Sequence, residues 1–230
     1  MAANTSWAAL AKAKDLRQRI FFAIGLLIVY RIGTYIPVPG IDGSALRDFM
    51  DEAAAGIGGM LNMFTGGAIS RMGIFALGIM PYISASIIVQ LVSAMYGPWA
   101  QLKKEGELGR RKLNQYTRYG TVFLALMQSY GLALSLEAGD LATDPGWFFR
   151  ISTIITLVGG TLFLMWLGEQ ITARGIGNGI SLIIFVGIIA EIPAQLAQFL
   201  SQGRSGNVSP VVVIGILLMM IALVAFVVFV

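Results

Sequence analysis

Six mostly apolar stretches run along this chain, separated by short segments that carry most of the charge: Ile20–Ile36, Ile74–Tyr96, Tyr119–Leu136, Phe148–Leu167, Ile180–Leu200 and Val211–Val230. A helix needs about 20 apolar residues to cross the hydrocarbon of a bilayer. The pattern therefore predicts an all-α integral membrane protein, a polytopic helical bundle. It divides the chain into a polar leading segment (1–19), a body of five helices (20–200) and a connection with a sixth helix (201–230). The first apolar stretch follows four basic residues but leads into Tyr35-Ile-Pro-Val-Pro39 rather than a small-residue cleavage site. The expectation is a retained helix, not a removed signal.

The stretch 53–96 breaks the pattern. It holds one charge, Arg71, over a length too great for one span and too small for two with a turn between. Its first half carries Gly56, Gly58, Gly59, Gly66, Gly67 and Gly73, and each glycine weakens a helix by about 1 kcal/mol relative to alanine. That half is expected to be a short re-entrant helix inside a cavity, where irregular backbone is tolerated at membrane depth. An ordinary external loop is the alternative. The second half contains Pro81, expected to kink the helix. Ile79 and Ile83 share a face, and by spacing alone they read as packing or lipid contact. Ser84, Ser86 and Gln90 supply polar groups at depth, as do Gln128 and Ser129 in the third stretch. Arg31 faces a cavity or partner, or snorkels to the interface. Glu169 has Arg174 within reach as an end-cap.

Charge then sets orientation. Eleven of the 16 Lys and Arg fall on the side of the N-terminus, four fall on the other, and Arg31 lies within a span. Asp42, Asp48, Asp51, Glu52, Glu137, Asp140 and Asp144 fall opposite the basic side. Basic residues mark the cytoplasmic face of short loops, so both ends are expected inside. This accounts for most of the net charge of +4. Lys103, Lys104, Arg110, Arg111 and Lys112 form a basic hairpin denser than topology requires, with the chemistry to dock ribosomal RNA, an acidic motor surface or anionic lipid. Arg174-Gly-Ile-Gly-Asn-Gly179 reads as a tight, flexible connection on the same face. It lacks the Lys-Ser/Thr and the preceding strand of a phosphate loop.

Composition narrows the chemistry. The chain is 57% hydrophobic and 12% charged, against about 25% charged in soluble domains. It has no cysteine and no histidine, which removes disulfides, Cys/His zinc sites and histidine bases. No Ser/Lys or paired-carboxylate site is evident. No enzyme activity, metal or cofactor is expected. An intramembrane protease would need a catalytic pair at depth. A secondary transporter would need converging charges at the midplane, where the chain offers only Arg31 and Glu169 near opposite faces. A scaffold would not need the glycine-rich half-helix.

Several segments, taken literally, resemble the SecY family. Ile74-Phe-Ala-Leu-Gly-Ile-Met-Pro-Tyr-Ile-Ser-Ala-Ser-Ile-Ile88 is similar to its second helix. Lys103-Lys-Glu-Gly-Glu107, Gly109-Arg-Arg-Lys112 and Gln115-Tyr-Thr-Arg-Tyr-Gly120 resemble its first large cytoplasmic loop. Phe163-Leu-Met-Trp-Leu-Gly-Glu-Gln-Ile-Thr172 and Arg174-Gly-Ile-Gly-Asn-Gly-Ile-Ser181 resemble its fourth helix and the start of its fifth. Tyr30-Arg-Ile-Gly33 and Ile36-Pro-Val-Pro-Gly-Ile-Asp42 fit the end of its first helix. The matches are ungapped, in order, and run from about residue 12 to 230.

The resemblance implies half of an inverted-repeat channel that passes unfolded polypeptides across the membrane and releases transmembrane segments sideways into lipid. It implies a plug from Ala54 to about Arg71, including Asn62, Phe64, Thr65, Gly66, Gly67, Ser70 and Arg71. Ile79, Ile83 and Ile184 would be pore-ring residues, and Ser84, Ser86, Gln90 and Gln128 would line one wall of a lateral gate. Lys103, Lys104, Arg110, Arg111, Lys112 and Arg174 would dock cytoplasmic partners. The implied partners are SecE and SecG, the SecA motor or the ribosome with its RNA, signal sequences and nascent chains, and lipid. The implied location is the bacterial inner membrane. Family members have ten helices and this pattern reaches a sixth, so the chain is expected to be part of a longer channel.

Overall fold

The computed structural model describes residues 14–46, 62–204 and 210–229. The expected start of the plug (54–61), the basic and acidic residues among 1–13 and 47–52, and the side chain of Lys104 lie outside the described residues. The described residues form helices α1 (Lys14–Gly33), α2 (Met80–Met95), α3 (Gly97–Lys104), α4 (Glu107–Ala138), α5 (Trp147–Arg174), α6 (Gly179–Arg204) and α7 (Pro210–Phe229). Three of them, α4, α5 and α6, are long and apolar enough to cross a membrane, and the bent pair α2–α3 makes a fourth if counted as one span. Helix α1 misses that standard because Arg17, Arg19 and Arg31 leave at least three charges in any 18-residue window. The chain divides into two compact units, residues 1–188 and 189–230.

The first unit is built on close helix contacts between small residues. Helix α4 buries Thr117, Thr121, Ala125, Ser129 and Ala133, one every fourth position. Facing helices bury Ala85 and Ser93 on α2 and Thr153, Gly160, Thr161 and Gly168 on α5. Lipid tails are as apolar as leucine, so helices in a bilayer associate through close packing rather than burial from water. Small residues permit it: a Cβ on Gly120 would stand 3.3 Å from that of Ala85. At Gly160 a Cβ would fall on the carbonyl of Ile74, so the backbone before α2 rests directly on α5.

One end of this unit is stitched by backbone. Val38 N donates to Met72 O (2.8 Å) and Ile74 N to Ile36 O (2.9 Å), while Asp42 N donates to Leu141 O (2.9 Å) and Thr143 N to Gly40 O (3.0 Å). The segment after α1 thereby joins the segment before α2 to the α4–α5 connection. Val38, Leu46, Met72, Leu136, Leu141, Phe149 and Leu157 form a buried cluster beneath it. Glu137 clasps the start of α5 at this end, accepting from Arg150 Nε (2.7 Å) and Gly146 N (3.0 Å). The acids Asp42, Glu137, Asp140 and Asp144 gather here. Lys14, Lys103, Arg110, Arg118 and Arg174 lie at the opposite ends of the same helices, so the folded chain keeps the charge separation of the sequence.

Three local expectations are corrected. The second apolar stretch becomes helical only at Met80. Residues 74–79 form turns, with Ala76 N bonded to Gly73 O and Gly78 N to Phe75 O, and Gly78 takes φ +56°. Pro81 therefore sits in the first turn of α2, where its missing N–H has no partner to lose, and does not kink a helix interior. The 103–118 region is not a hairpin loop. Helix α3 turns 106° from α2, and α4 begins at Glu107 because Arg, Lys, Leu and Gln sustain a helix. Glu169 pairs with Arg118 rather than Arg174, at 2.9 and 2.7 Å.

In the second unit, the later part of α6 contains Pro193 and buries Glu191. Helix α7 carries no charged residue.

Candidate functional site

The glycine-rich segment 62–79 is the irregular part of the first unit. Asn62–Phe64 form a single helical turn and turns follow to Ile79. The segment is folded on itself: Ser70 N donates to Asn62 Oδ1 (2.9 Å), Thr65 Oγ1 to Asn62 O (3.0 Å), Ser70 Oγ to Gly67 O (3.0 Å) and Arg71 Nη1 to Gly67 O (3.3 Å). Gly66 and Gly67 take φ +65° and +79°, a region that side chains resist. Thr65, Gly66, Gly67 and Ala68 are all buried, while Phe64 is 46% exposed. Thr65 to Ala68 are thus shielded by neighbouring helices, the condition that irregular backbone has to meet inside a bilayer.

Its seat is made by α1 and α6. Tyr30 Oη donates to Thr65 O (3.3 Å), and Arg31 Nη1 donates to Gly66 O (2.6 Å). A Cβ on Gly66 would come within 3.1 Å of the Gly187 Cα, and a Cβ on Gly187 within 3.1 Å of Phe64 O. Glycine at both positions lets the two backbones touch. Arg31 therefore finds a partner within the protein, the first of the two expectations.

Beside the seat lies a cavity of about 40 Å³ lined by Tyr30, Phe64, Thr65, Gly78, Leu164 and Ile183 together with Ile79, Ile83 and Ile184. All three isoleucines singled out in the sequence converge here, from the start of α2 and from α6. Ile79 is buried in a cluster with Tyr30, Phe75, Leu164 and Ile183, and Ile83 and Ile184 pack against it half-buried. Gln128 of α4 lines a second cavity of about 480 Å³ with Thr65, Ile69, Leu77, Met80 and Leu132. Ser84 is half-buried. Ser86 and Gln90 lie further along α2, where Gln90 Nε2 donates to Ser86 Oγ (3.1 Å); neither lines these cavities.

At the basic end, Lys103, Arg110, Arg111, Lys112 and Arg174 are exposed. Their support is rigid: Trp99 of α3 stacks on Tyr116 of α4 with centroids 4.7 Å apart, and Gly109 fits against the Leu102 carbonyl. The 174–179 connection is held more firmly than its glycines suggested. Gly179 N donates to Thr172 Oγ1 (2.8 Å), and Asn178 Oδ1 caps α6 by accepting from Ile180 N (3.0 Å). Sequence reasoning missed Tyr30, Tyr35, Gly187 and Trp99. Only the four-residue spacing of small residues in α4 left a signal that pattern alone could have found.

Long helices packed through small residues, with an irregular, glycine-seated segment held against α1 and α6, define a multi-pass helical membrane protein. Comparison with known proteins places it further. The SecY family model matches residues 73–230. A protein translocase subunit SecY from Rickettsia typhi is 53% identical over 94% of this chain and 51% of its own length. That of Escherichia coli K12 is 51% identical over 94% and 50%. The chain belongs to the SecY family, and it spans about half the length of these curated relatives. Among solved structures, Sec61 in the canine ribosome-channel complex from the endoplasmic reticulum matches with TM-score 0.54 at 20% identity, over 82% of this chain and 38% of that one. A structure of a protein-conducting channel matches with the same values. At that identity these two establish the shared fold.

Proposed function

We propose that this chain is the amino-terminal half of a protein-conducting channel, passing unfolded polypeptides across the bacterial inner membrane and releasing apolar segments sideways into lipid. In this reading residues 62–71 belong to the plug, and Ile79, Ile83 and Ile184 belong to a ring that gaskets the passing chain and excludes ions by dewetting. Ser84, Ser86, Gln90 and Gln128 belong to one wall of the lateral gate. The basic end faces the cytoplasm, where Lys103, Lys104, Arg110, Arg111, Lys112 and Arg174 meet the ribosome or the SecA motor. SecE and SecG complete the assembly. A hydrophobic signal segment leaves by partitioning, at roughly 0.8 kcal/mol per buried CH₂.

The observation that carries this reading is the convergence of Ile79, Ile83 and Ile184 on one cavity beside Phe64 and Thr65 of the re-entrant segment. A seal formed by these three residues would lie directly against the segment read as the plug. The test is photo-crosslinking from Ile83 to a stalled secretory nascent chain, in membranes holding this chain with and without the carboxy-terminal half of the Escherichia coli relative. A crosslink that needs the second half is expected. Its absence in both membranes, with insertion and assembly verified, returns Ile83 to simple packing.

A further inference from the structure

We propose that Arg31 is a positioning residue for the plug, its bond to the Gly66 carbonyl setting how firmly the closed segment is seated. This rests on the reading of residues 62–71 as plug. The buried residues of the segment at the seat, Thr65, Gly66, Gly67 and Ala68, are small, and Phe64, its one ring, stays 46% exposed. Apolar stabilisation scales with area, so polar contacts from neighbouring helices carry much of the specific hold. Two consecutive residues of α1 supply such contacts. Tyr30 Oη reaches Thr65 O at 3.3 Å, and Arg31 Nη1 reaches Gly66 O at 2.6 Å.

The guanidinium is itself held in place. Arg31 Nη2 donates to Tyr35 Oη (3.2 Å). The Tyr35 ring lies 5.1 Å from the Arg31 guanidinium carbon and 4.4 Å from that of Arg71. Arg71 belongs to the segment and Arg31 to α1, so one ring contacts a cation from each side of the seat. A charge-assisted bond is stronger than a neutral one in a poorly hydrated site, yet it can be exchanged for water once the segment moves into a wet pore. Arg31 is thus a hold that is specific when closed and replaceable when open. Lysine can offer one donor to Gly66 O but not the planar fork that also reaches Tyr35.

The test uses this chain joined to the carboxy-terminal remainder of the Escherichia coli relative, reconstituted in liposomes. Resting chloride leak is read for the parent, Arg31→Ala, Arg31→Lys, Tyr30→Phe and a deletion of residues 62–71. Export of a reporter with a weakened signal sequence is read in cells. Arg31→Ala is expected to raise the leak roughly tenfold, the population shift that follows loss of one charge-assisted hydrogen bond. Arg31→Lys should restore part of the seal, Tyr30→Phe should leak less than Arg31→Ala, and weak-signal export should rise. If the deletion leaks and Arg31→Ala does not, the role of Arg31 is overturned while the plug reading stands. If the deletion itself does not leak, the plug reading falls and this inference with it. A leak accompanied by falling export, with no rescue by lysine, makes Arg31 a folding residue and also overturns the proposal.

Discussion

Arg118 and Glu169, 51 residues apart in sequence, meet through two parallel hydrogen bonds of 2.9 and 2.7 Å that join α4 to α5. The side chains are 52% and 32% exposed, so solvent screens the pair despite its bidentate geometry. A double-mutant cycle on Arg118→Gln and Glu169→Gln, read as thermal stability in detergent, is expected to give a coupling of about 0.5–1 kcal/mol. The same cycle on Arg174 and Glu169 should give none, because the carboxylate faces Arg118. A larger coupling to Arg174 would contradict the observed pairing.

Two neighbouring glycines of α5 should respond in opposite directions. Gly159 has nothing within 4 Å of an added Cβ, whereas at Gly160 the Cβ meets the Ile74 carbonyl. Gly159→Ala is expected to leave stability unchanged or raise it by up to about 1 kcal/mol through helix propensity. Gly160→Ala should lower it by about 1–3 kcal/mol by overpacking. Equal effects on the unfolding midpoint would refute the close approach of the 74–79 turns to α5.

Acid should loosen the stitched end. The hydroxyl of Ser44, then the Ser44 and Ala45 amides, hold the Asp42 carboxyl below its ordinary range, with Ser44 N at 2.8 Å. A depressed folded-state pKa contributes stability that is present above the unfolded value of about 3.9 and is lost as pH falls through the folded value. Protease cleavage within residues 40–46 is expected to increase below that range in the parent chain. Asp42→Asn should cleave faster at neutral pH and lose this pH dependence.

The corner between α3 and α4 should depend on its stacked rings. Tyr116→Ala removes the partner of Trp99 and is expected to destabilise by about 0.5–1.5 kcal/mol beyond the lost area. In a variant with Trp7, Trp147 and Trp166 replaced by Phe, Trp99 emission should shift to the red. Unchanged emission would mean the ring does not rest on Tyr116. In the reading of this end as a docking face, the same variant should also bind ribosomes more weakly, since Arg110 and Lys112 would lose a fixed support.

Much of the architecture was legible before the fold. The apolar stretches marked helices, and the glycine density of 53–73 marked backbone that could not be a span; its described part, 62–73, is one helical turn followed by turns rather than the short helix expected. Ile79, Ile83 and Ile184 were singled out only through family resemblance; their spacing alone read as packing. The misread features were local ones whose outcome depends on distant atoms. Pro81 reads as a kink only if its helix begins at Ile74; residues 74–79 instead form turns, and Ile74 N is bonded to Ile36 O across the fold. The dense charge of 103–118 reads as a loop, yet its Arg, Lys, Leu and Gln are helix formers and two helices cover it.

The amino-acid pattern by itself determined which apolar stretches form the long helices, which segment refuses to be a span, and which ends carry basic or acidic groups. Each of those follows from the solvation and backbone preference of residues close together in sequence. Only the tertiary structure decided that Arg31 holds Gly66, that Glu169 turns to Arg118, and that Gly66 rests on Gly187. A hydrogen bond or close backbone contact is decided within a few tenths of an ångström, and periodicity along one chain contains no such distance between residues tens of positions apart.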